Sequence, residues 1–564
     1  MKFTKIKSIW KSFSITEKTI ILLVVIVLCA SGLTALYNLN QKFLQEIPLA
    51  GGSFKEGLVG SPRLINPLLA TSDTDRSLTT LLYSGLIRYE NDKLIPDLAS
   101  KYEISDDLLE YKFYIKDDAT FHDGSKVTSD DVIFTILSAQ NPDLKSPLRS
   151  NWEGISIEKI NDQEILFKLE KPYAPFLQNM TLGILPKHIW SQIDVKEFTL
   201  SNFNISPIGT GPYKVKEIRR DSIGIPTSYE ITSFKDFTLG EPNIPKITFV
   251  FKRNQEEILE EYKNQKIDSV HSIDPKVAKG LQITGGQVLT SSLPRDFGLF
   301  FNQNQNPVLK NKSVREALEL ATPKNRIIDE VFFGFAKSVD GPVPSELLGD
   351  HSKTNYNLEQ AMEKLALAGW TKNEDGKLVL VDGDEKQILS LSISTSNVSE
   401  LKSIAEIVAE AWRELGAEVR VEIFEVADLN SNVIRPRKFE TLLFEITSGR
   451  DYDYYPFWHS SQRNDPGLNI TNYANIKVDD ILEKIRDTED LEIIKSELTE
   501  FNEEFKNDIP AIFIYSPDFI YLVPEKIKGV DIKNIISSEE RFSNVYKWYI
   551  ETDKVWPIFN KNNQ

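Results

Sequence analysis

Hydrophobic and polar residues alternate in short segments along the chain after residue 56. In Leu109–Ile115 the residues at 111, 113 and 115 are aromatic or aliphatic, while Glu110 and Lys112 fall on the other side, which predicts a half-buried strand. Ile388–Ser394 and Glu418–Phe424 alternate in the same way. Between them, Ser399–Leu415 has the helical period and stops at Gly416, a residue typical of helix ends. Strand, helix and strand in this order predict a parallel βαβ unit, so we expect an α/β fold.

Two glycine-containing segments interrupt this pattern. His122-Asp123-Gly124 is typical of a turn, and Thr128 is placed to cap a following helix, so we interpret His122 and Asp123 as structural rather than catalytic. Ile208–Tyr213 has the sequence IGTGPY and matches neither phosphate-loop pattern. We expect this second segment to be a strand that crosses between two lobes.

An apolar run near the N-terminus predicts a membrane anchor. Thr19–Tyr37 contains no charged residue, and as a helix its 19 residues would be about 28 Å long, close to the roughly 30 Å of a bilayer core. Lysines precede it at positions 2, 5, 7, 11 and 18. We therefore expect residues 1–18 in the cytoplasm, a transmembrane signal anchor at 19–37, and the rest of the chain on the extracytoplasmic side, periplasmic or at the cell surface.

Other leader types fit the run less well. A lipoprotein signal needs a small residue before the cysteine, but Leu28 precedes Cys29. A secretory signal cleaved after Gly32 or Ala35 is an alternative, although the apolar run is long for one. We favour the uncleaved anchor, followed by a tether at residues 38–54.

Composition and charge exclude several classes of protein. A length of 564 residues predicts two or three lobes, and 41% hydrophobic residues indicate a folded chain. The net charge of −17 argues against nucleic-acid binding. One cysteine and five histidines without metalloprotease spacing argue against a disulfide, a metal cluster or a zinc enzyme, so we expect no cofactor. We expect a monomer.

Candidate chemistry is concentrated in the loop Gly449–Asn475. It places Asp451 and Asp453 beside three tyrosines, a phenylalanine and a tryptophan, and its prolines and glycines indicate a shaped loop. So much aromatic surface beside carboxylates predicts the wall of a ligand cleft.

Six further segments follow one another along the chain: Pro96–Ser100, Phe121–Val132, Pro207–Tyr213, Phe301–Leu318, Asn357–Trp370 and Asp453–Gln462. In this order they resemble segments of the extracytoplasmic solute-binding proteins of the oligopeptide, dipeptide and nickel ABC importers, solute-binding family 5. The resemblance extends from about Gly57 to Trp548.

The resemblance implies a periplasmic-binding-protein-like fold with a hinge cleft. Two main lobes and an inserted smaller lobe would follow one N-terminal transmembrane helix. The lobe boundaries it implies are 55–95 with 208–296 and 527–552 for lobe I, 96–207 for the inserted small lobe, and 297–526 for the opposite lobe. Two crossing strands would join the main lobes, and hinge closure would enclose the ligand.

The resemblance also implies ligand-binding residues. In peptide-binding relatives a carboxylate of this loop receives the ligand's terminal ammonium, so Asp453 is our first candidate acceptor and Asp451 the second. Tyr452, Tyr454 and Trp458 are candidate cleft walls. Asn302, which follows a predicted strand, is a further candidate contact. Asp453 as a turn-forming residue and Trp458 as a core residue are the structural alternatives.

We therefore expect a membrane-tethered receptor that delivers peptides to an ABC permease and ATPase complex. Tyrosines stand where the family's loop often has prolines, so an oligosaccharide receptor is an alternative, as is an adaptor with no transport role. A nickel-chelate receptor fits less well because the loop holds one histidine, His459. An anchored hydrolase is disfavoured because the chain lacks the G-x-S-x-G motif and a recognisable catalytic triad.

Overall fold

A computed structural model gives the fold. It describes residues 13–90, 93–173, 175–283, 287–348, 355–383, 385–447, 449–450, 452–488 and 490–556. The chain divides into two compact units, one of residues 1–52 with 549–564 and the other of residues 53–548.

Strands and helices mix along the whole chain, as an α/β fold requires. The strands are β1 Gln45–Leu49, β2 Ser53–Val59, β3 Ile87–Glu90, β4 Lys93–Pro96, β5 Ala99–Ile104, β6 Glu110–Ile115, β7 Ile155–Lys159, β8 Glu164–Leu169, β9 Tyr213–Arg220, β10 Pro226–Ser233, β11 Lys246–Lys252, β12 Ser269–His271, β13 Val288–Ser292, β14 Arg295–Phe301, β15 Ala336–Ser338, β16 Trp370–Lys372, β17 Leu378–Asp382, β18 Glu385–Ile388, β19 Ser390–Ser396, β20 Glu418–Phe424, β21 Thr441–Thr447, β22 Ala511–Leu522 and β23 Glu551–Val555. The longer α-helices are Ile15–Phe43, Asp73–Leu82, Ser129–Gln140, Gln255–Lys263, Pro275–Ile283, Lys312–Leu320, Lys324–Val331, Leu358–Leu367, Ser399–Leu415, Ile476–Arg486 and Leu491–Asp508.

The smaller unit contains the apolar helix. Ser14 and Glu17 form a capping box at the start of Ile15–Phe43, and Ile15–Asn40 is long and apolar enough to cross a membrane. β1 pairs with β23 in antiparallel register, with Gln45 opposite Val555. Residues 38–54, which the sequence predicts as a tether, thus contain the end of this helix and a strand.

One large sheet organises the bigger unit. Its strands lie in the order β20-β19-β21-β14-β22-β12-β2-β11-β10-β9, and β13 and β15 also pair with β22. β22 lies between two halves of this sheet, β20-β19-β21-β14 on one side and β12-β2-β11-β10-β9 on the other. Its first residues pair with β14, and its last residues pair with β12 and β13. β13–β14 and β22 are therefore two antiparallel segments that run through both halves.

The half of the sheet built from β14, β19, β21 and β22 is covered on both faces. Leu299 and Phe301 of β14 belong to one buried cluster, and Phe300 between them belongs to another. β22 alternates in the same way, since Ile512 and Phe513 face opposite clusters. The helices Ser399–Leu415 and Leu491–Asp508 supply residues to the two clusters, one helix on each face.

The predicted βαβ unit is confirmed. β19 and β20 are parallel, with Ser390 opposite Glu418, and the helix Ser399–Leu415 connects them. Gly416 ends that helix with φ of 114°, a left-handed conformation that glycine adopts without a Cβ clash.

A buried ion pair fixes the C-terminal part of the larger unit. Glu56 and Arg541 are both fully buried, with Arg541 Nε 2.9 Å from Glu56 Oε1. Tyr521 and Ser269 donate hydrogen bonds to the other carboxylate oxygen of Glu56. The pair joins residues 485 positions apart in the chain.

The expectation that Ile208–Tyr213 is a strand is wrong. Residues 208–212 form a loop that leads into β9, which lies at one edge of the large sheet. A Cβ at Gly209 would overlap the carbonyl oxygen of Leu82, and one at Gly211 would lie 2.5 Å from that of Leu81. The glycines therefore serve a close backbone approach.

Hydrogen bonds with His122 fix the position of this loop. Its backbone N–H donates to Gly209 O at 2.8 Å, and Gly209 N–H donates back to His122 Nδ1 at 3.2 Å. Since Nδ1 accepts, the neutral ring carries its proton on Nε2, which lies 3.0 Å from Gly211 O. Burial lowers the pKa of His122 to about 4, so the ring is neutral near pH 7. The predicted structural role of His122 fits these contacts.

Candidate functional site

The loop Gly449–Asn475 follows β21 and leads into the helix Ile476–Arg486. A single helical turn, Tyr455–Trp458, lies in its first half, where Pro456 occupies an early position that needs no N–H donor. Asn475 caps the following helix by accepting hydrogen bonds from Lys477 and Val478 N–H groups. The loop is thus held at both ends by regular structure.

Tyr454 and Trp458 lie in the core beneath the loop. Their side chains are 0% and 1% exposed. The Trp458 ring is 4.7 Å from that of Phe505 and 6.1 Å from that of Phe300, and Tyr454 contacts Phe501 at 5.6 Å between ring centres. Because neighbouring rings cover both side chains, neither forms a cleft wall in this conformation, and Trp458 occupies the core position that was its structural alternative.

Asp453 is bound by an arginine that the sequence pattern did not single out. Arg486 Nε lies 2.9 Å from Asp453 Oδ1 and Nη2 lies 2.6 Å from Oδ2, a bidentate pair. Tyr455 N–H also donates to Oδ1 at 3.2 Å, which is the turn role weighed as the alternative. The Asp453 side chain is 9% exposed. A ligand ammonium at Asp453 would therefore share this carboxylate with a guanidinium.

Of the other two loop candidates, Asp451 and Tyr452, the structure describes only Tyr452. Asp451 lies outside the described residues. Tyr452 is partly buried against the same cluster as Trp458 and has φ of 53°, which is uncommon for a residue with a side chain. Its carbonyl accepts a hydrogen bond from Tyr454 N–H at 3.0 Å, so its backbone tightens the loop.

Arg486 also belongs to a stacked column of side chains. Its guanidinium lies 3.9 Å from the centre of the Tyr455 ring, which stacks on His459 at 4.0 Å and 14°. Tyr173, a residue of the predicted inserted lobe, lies 5.8 Å from the same guanidinium. The column therefore extends from the loop toward a segment almost 300 positions earlier in the chain.

Arg450 makes a second long-range connection. It donates two hydrogen bonds to Glu540, at 2.8 and 2.9 Å, and its guanidinium lies 4.3 Å from the centre of the Tyr89 ring. Both charged side chains are largely buried, with 13% and 20% exposed. Tyr89 and Glu540 belong to the segments predicted for lobe I. Glu540 is a partner of Arg450 that the sequence pattern did not indicate.

Asn302 has a structural set of contacts. It is fully buried after the end of β14, its Nδ2 donates to Arg437 O at 2.8 Å, and its Oδ1 accepts from Asn304 N–H at 3.1 Å. These bonds shape the turn that leaves β14.

Metal-binding chemistry is not assembled in the part of the chain that the structure describes. Among those residues no group of three or more histidine, cysteine, aspartate or glutamate side chains is placed to hold a metal ion. His459, the loop's histidine, accepts a hydrogen bond from Ser461 N–H and has Asp479 and Glu483 near its other nitrogen.

Comparison with known proteins gives the family. The model of the bacterial extracellular solute-binding proteins, family 5, matches residues 93–468, more than half of the chain. The oligopeptide-binding protein AppA of Bacillus subtilis is 28% identical over 89% of this chain and 92% of its own length. The nickel-binding protein NikA of Staphylococcus aureus is 24% identical, over 74% of this chain and 79% of its own.

Solved structures agree with this assignment. NikZ from Campylobacter jejuni in complex with Ni(L-His) has a TM-score of 0.68 at 28% identity and covers 89% of this chain and 100% of its own. AppA from Bacillus subtilis in complex with a nonapeptide has a TM-score of 0.67 at 26% identity, covering 90% and 100%. The predicted periplasmic-binding-protein-like fold with one N-terminal apolar helix is thereby confirmed. The chain belongs to family 5 of the bacterial extracellular solute-binding proteins.

Proposed function

We propose that this protein is the substrate-binding component of an ABC importer and that it captures peptides outside the cytoplasm. The observation that supports the proposal is that distant segments of the chain meet around the loop Gly449–Asn475. Arg450 of the loop contacts Tyr89 and Glu540. Arg486 of the following helix, which binds Asp453 of the loop, contacts Tyr173, so three distant segments meet around the loop. A loop that gathers separate segments around itself is placed to enclose a ligand.

Closure of two lobes would enclose the ligand. In this proposal residues 297–526 form one lobe, residues 55–95 with 208–296 and 527–552 form the other, and 96–207 are inserted. The Arg450–Glu540 pair, with its two hydrogen bonds, connects residues assigned to the two main lobes. It would therefore form on closure and break on opening, which makes it part of the free energy that holds the ligand-bound state.

Asp453 is the proposed acceptor for the ligand's terminal ammonium, with Asp451 second. A charge-assisted hydrogen bond of this kind contributes about 1.5–3 kcal/mol. Because Arg486 already binds both oxygens of Asp453, the ammonium would bind beside a guanidinium and gain less than at an isolated carboxylate. Tyr452 and Asn302 are proposed to act through the loop and turn that they shape.

The rest of a peptide can be bound with little dependence on which side chains it carries. Its main chain can be bound by protein backbone groups as an added strand would be. Its side chains can occupy hydrated pockets, where water completes their hydrogen bonding. A receptor built this way would accept many sequences.

The helix Ile15–Phe43 is proposed to anchor the protein in the membrane. Its Ile15–Asn40 segment is long and apolar enough to span a bilayer. A single-pass anchor would keep the ligand-binding unit on the extracytoplasmic side, near the permease and ATPase complex that receives the ligand. We propose that the protein acts as a monomer with no catalytic step of its own.

A metal–amino-acid chelate is the second candidate ligand. NikZ, 28% identical, was solved with Ni(L-His). Such a chelate carries its own donor atoms, so it does not require a three-residue metal site in the protein. The oligosaccharide alternative has lost its main support, because the structure buries Tyr454 and Trp458 rather than exposing them for stacking on sugars.

A thermal-shift screen tests the proposed ligand class. Peptides from two to nine residues, Ni(L-His) and oligosaccharides would each be added to the purified protein, because a true ligand raises the melting temperature by mass action. We expect a shift with peptides. A shift with Ni(L-His) alone would replace peptides by chelates, and turnover of any compound would contradict the transport role.

A further inference from the structure

An aromatic pair lies where the apolar helix ends. Phe43 is the last residue of the helix Ile15–Phe43, and its ring stacks on that of Trp556 at 6.0 Å between centres and 10° between planes. The stack is not buried within its own unit, since Phe43 is 49% and Trp556 41% exposed. Two large aromatic side chains thus meet at a solvent-facing position.

The strand pairing of the same unit explains how the two residues meet. β1 begins two residues after Phe43, and Gln45 is opposite Val555 of β23. Trp556 directly follows that pair. The antiparallel ribbon therefore returns the C-terminal part of the chain to the end of the N-terminal helix, although 513 positions separate the two aromatic residues.

The length of the helix sets the depth of this pair. Thr19–Tyr37 would fill about 28 Å of a hydrocarbon core that is about 30 Å thick. Phe43 is six residues beyond Tyr37, so it would lie about 9 Å further along the axis, and less along the bilayer normal if the helix tilts. The headgroup layer is roughly 5–8 Å thick on each side. The pair therefore falls near the outer edge of the headgroup layer, and tilting of the helix brings it deeper into that layer.

We propose that Trp556, held by Phe43, is a second membrane contact that binds the outer bilayer interface. Tryptophan is favoured at this depth because its ring is apolar and its indole N–H can donate to headgroup oxygens or water. The stack fixes the indole beside the emerging helix, so residue 556 lies at the membrane surface. This inference rests on the proposed anchor and adds a lipid-binding residue to it.

Quenching by brominated lipids tests the contact in the full-length chain. The protein would be reconstituted into phosphatidylcholine vesicles brominated either near the headgroup end or near the tail of the acyl chain. Trp10 is first replaced by phenylalanine to remove a tryptophan that precedes the anchor. Emission is then compared with and without the further substitution Trp556→Phe, and the difference reports on Trp556 alone.

We expect this difference emission to be lost more strongly in vesicles brominated near the headgroup than in those brominated at the tail. Equal emission in brominated and unbrominated vesicles would overturn the interface contact, including the case in which a protein partner covers Trp556. A control places tryptophan at the middle of the span, by Leu28→Trp in the Trp10→Phe, Trp556→Phe background, where tail bromines should quench best. If that control is not quenched either, the anchor itself has failed, so the two failures are distinguished.

Discussion

Arg486 holds both carboxylate oxygens of Asp453, with Nε 2.9 Å from Oδ1 and Nη2 2.6 Å from Oδ2. The pair lies between the helix Ile476–Arg486 and the loop that the sequence predicts as the ligand-binding wall. It gives Asp453 two possible roles, ligand acceptor or anchor of the loop. These roles make different predictions.

Substitution of each partner separates the roles. Asp453→Ala removes the carboxylate, and we expect it to weaken binding of peptides with a free N-terminus by about 1–2 kcal/mol, roughly 5- to 30-fold, but to change binding of acetylated peptides much less. Arg486→Met breaks the same pair yet keeps the carboxylate, so the preference for a free N-terminus should survive. Titration calorimetry measures both. Equal losses for both peptide types in Asp453→Ala would leave Asp453 only the anchoring role.

The Arg450–Glu540 pair predicts a kinetic effect. Arg450→Met removes two charge-assisted hydrogen bonds and the contact with Tyr89, which should destabilise the closed state by about 1–2 kcal/mol and speed ligand dissociation by roughly 5- to 30-fold. Stopped-flow dissociation measures the rate. Arg326→Met is the matched control, because Arg326 pairs with Glu330 at a surface where both side chains are about half exposed, and it should change the rate little. An unchanged rate in Arg450→Met would argue against a closure contact.

His122 predicts a pH dependence of stability. Its folded pKa is about 4 and its ordinary value is about 6.5, so the unfolded chain binds the proton first as the pH falls. His122 therefore stabilises the fold less and less from about pH 6.5 to about 4, by at most about 3 kcal/mol, and causes no further change below that. In His122→Gln the free energy of unfolding should fall less steeply over this range. Parallel curves for the two proteins, measured by urea unfolding at each pH, would contradict the assignment.

Because the loop at residues 208–212 lies close to the backbone of Leu82, alanine at Gly209 should destabilise the fold, whereas alanine at Gly280 should not. Gly209→Ala places a Cβ against the Leu82 carbonyl, which as backbone has little room to move, so we expect a loss of about 3 kcal/mol in the free energy of unfolding. Gly280→Ala is the control. Apart from its own stretch of helix, no heavy atom lies within 4 Å of the added Cβ, and alanine in the helix Pro275–Ile283 should stabilise it by up to about 1 kcal/mol. Thermal unfolding of the two variants should shift in opposite directions.

Local sequence patterns predicted the regular structure well. The helix Ser399–Leu415 and the strand Glu418–Phe424 have the predicted bounds, because the periodicity and the helix-ending glycine are both local signals. Leu358–Leu367 begins after Asn357 as its capping pattern indicates. Ile208–Tyr213 was mispredicted because its glycines are required by close contact with the backbone of Leu81 and Leu82, which are distant in the chain.

The candidate site was predictable only in part, because its decisive contacts are long-range. The loop Gly449–Asn475 is identifiable from its composition, but nothing near Asp453 in sequence indicates Arg486, and nothing near Arg450 indicates Glu540. Aromatic residues in a loop look alike whether they are exposed or buried. Tyr454 and Trp458 are buried because Phe501 and Phe505 of a later helix cover them, and no local pattern carries that information.

Titration calorimetry of the purified full-length protein with a nonapeptide and with Ni(L-His) tests the central claim most directly. The account predicts saturable one-to-one binding of the peptide, weakened in Arg450→Met and unaffected in Arg326→Met. Binding of Ni(L-His) with no heat from the nonapeptide would contradict it.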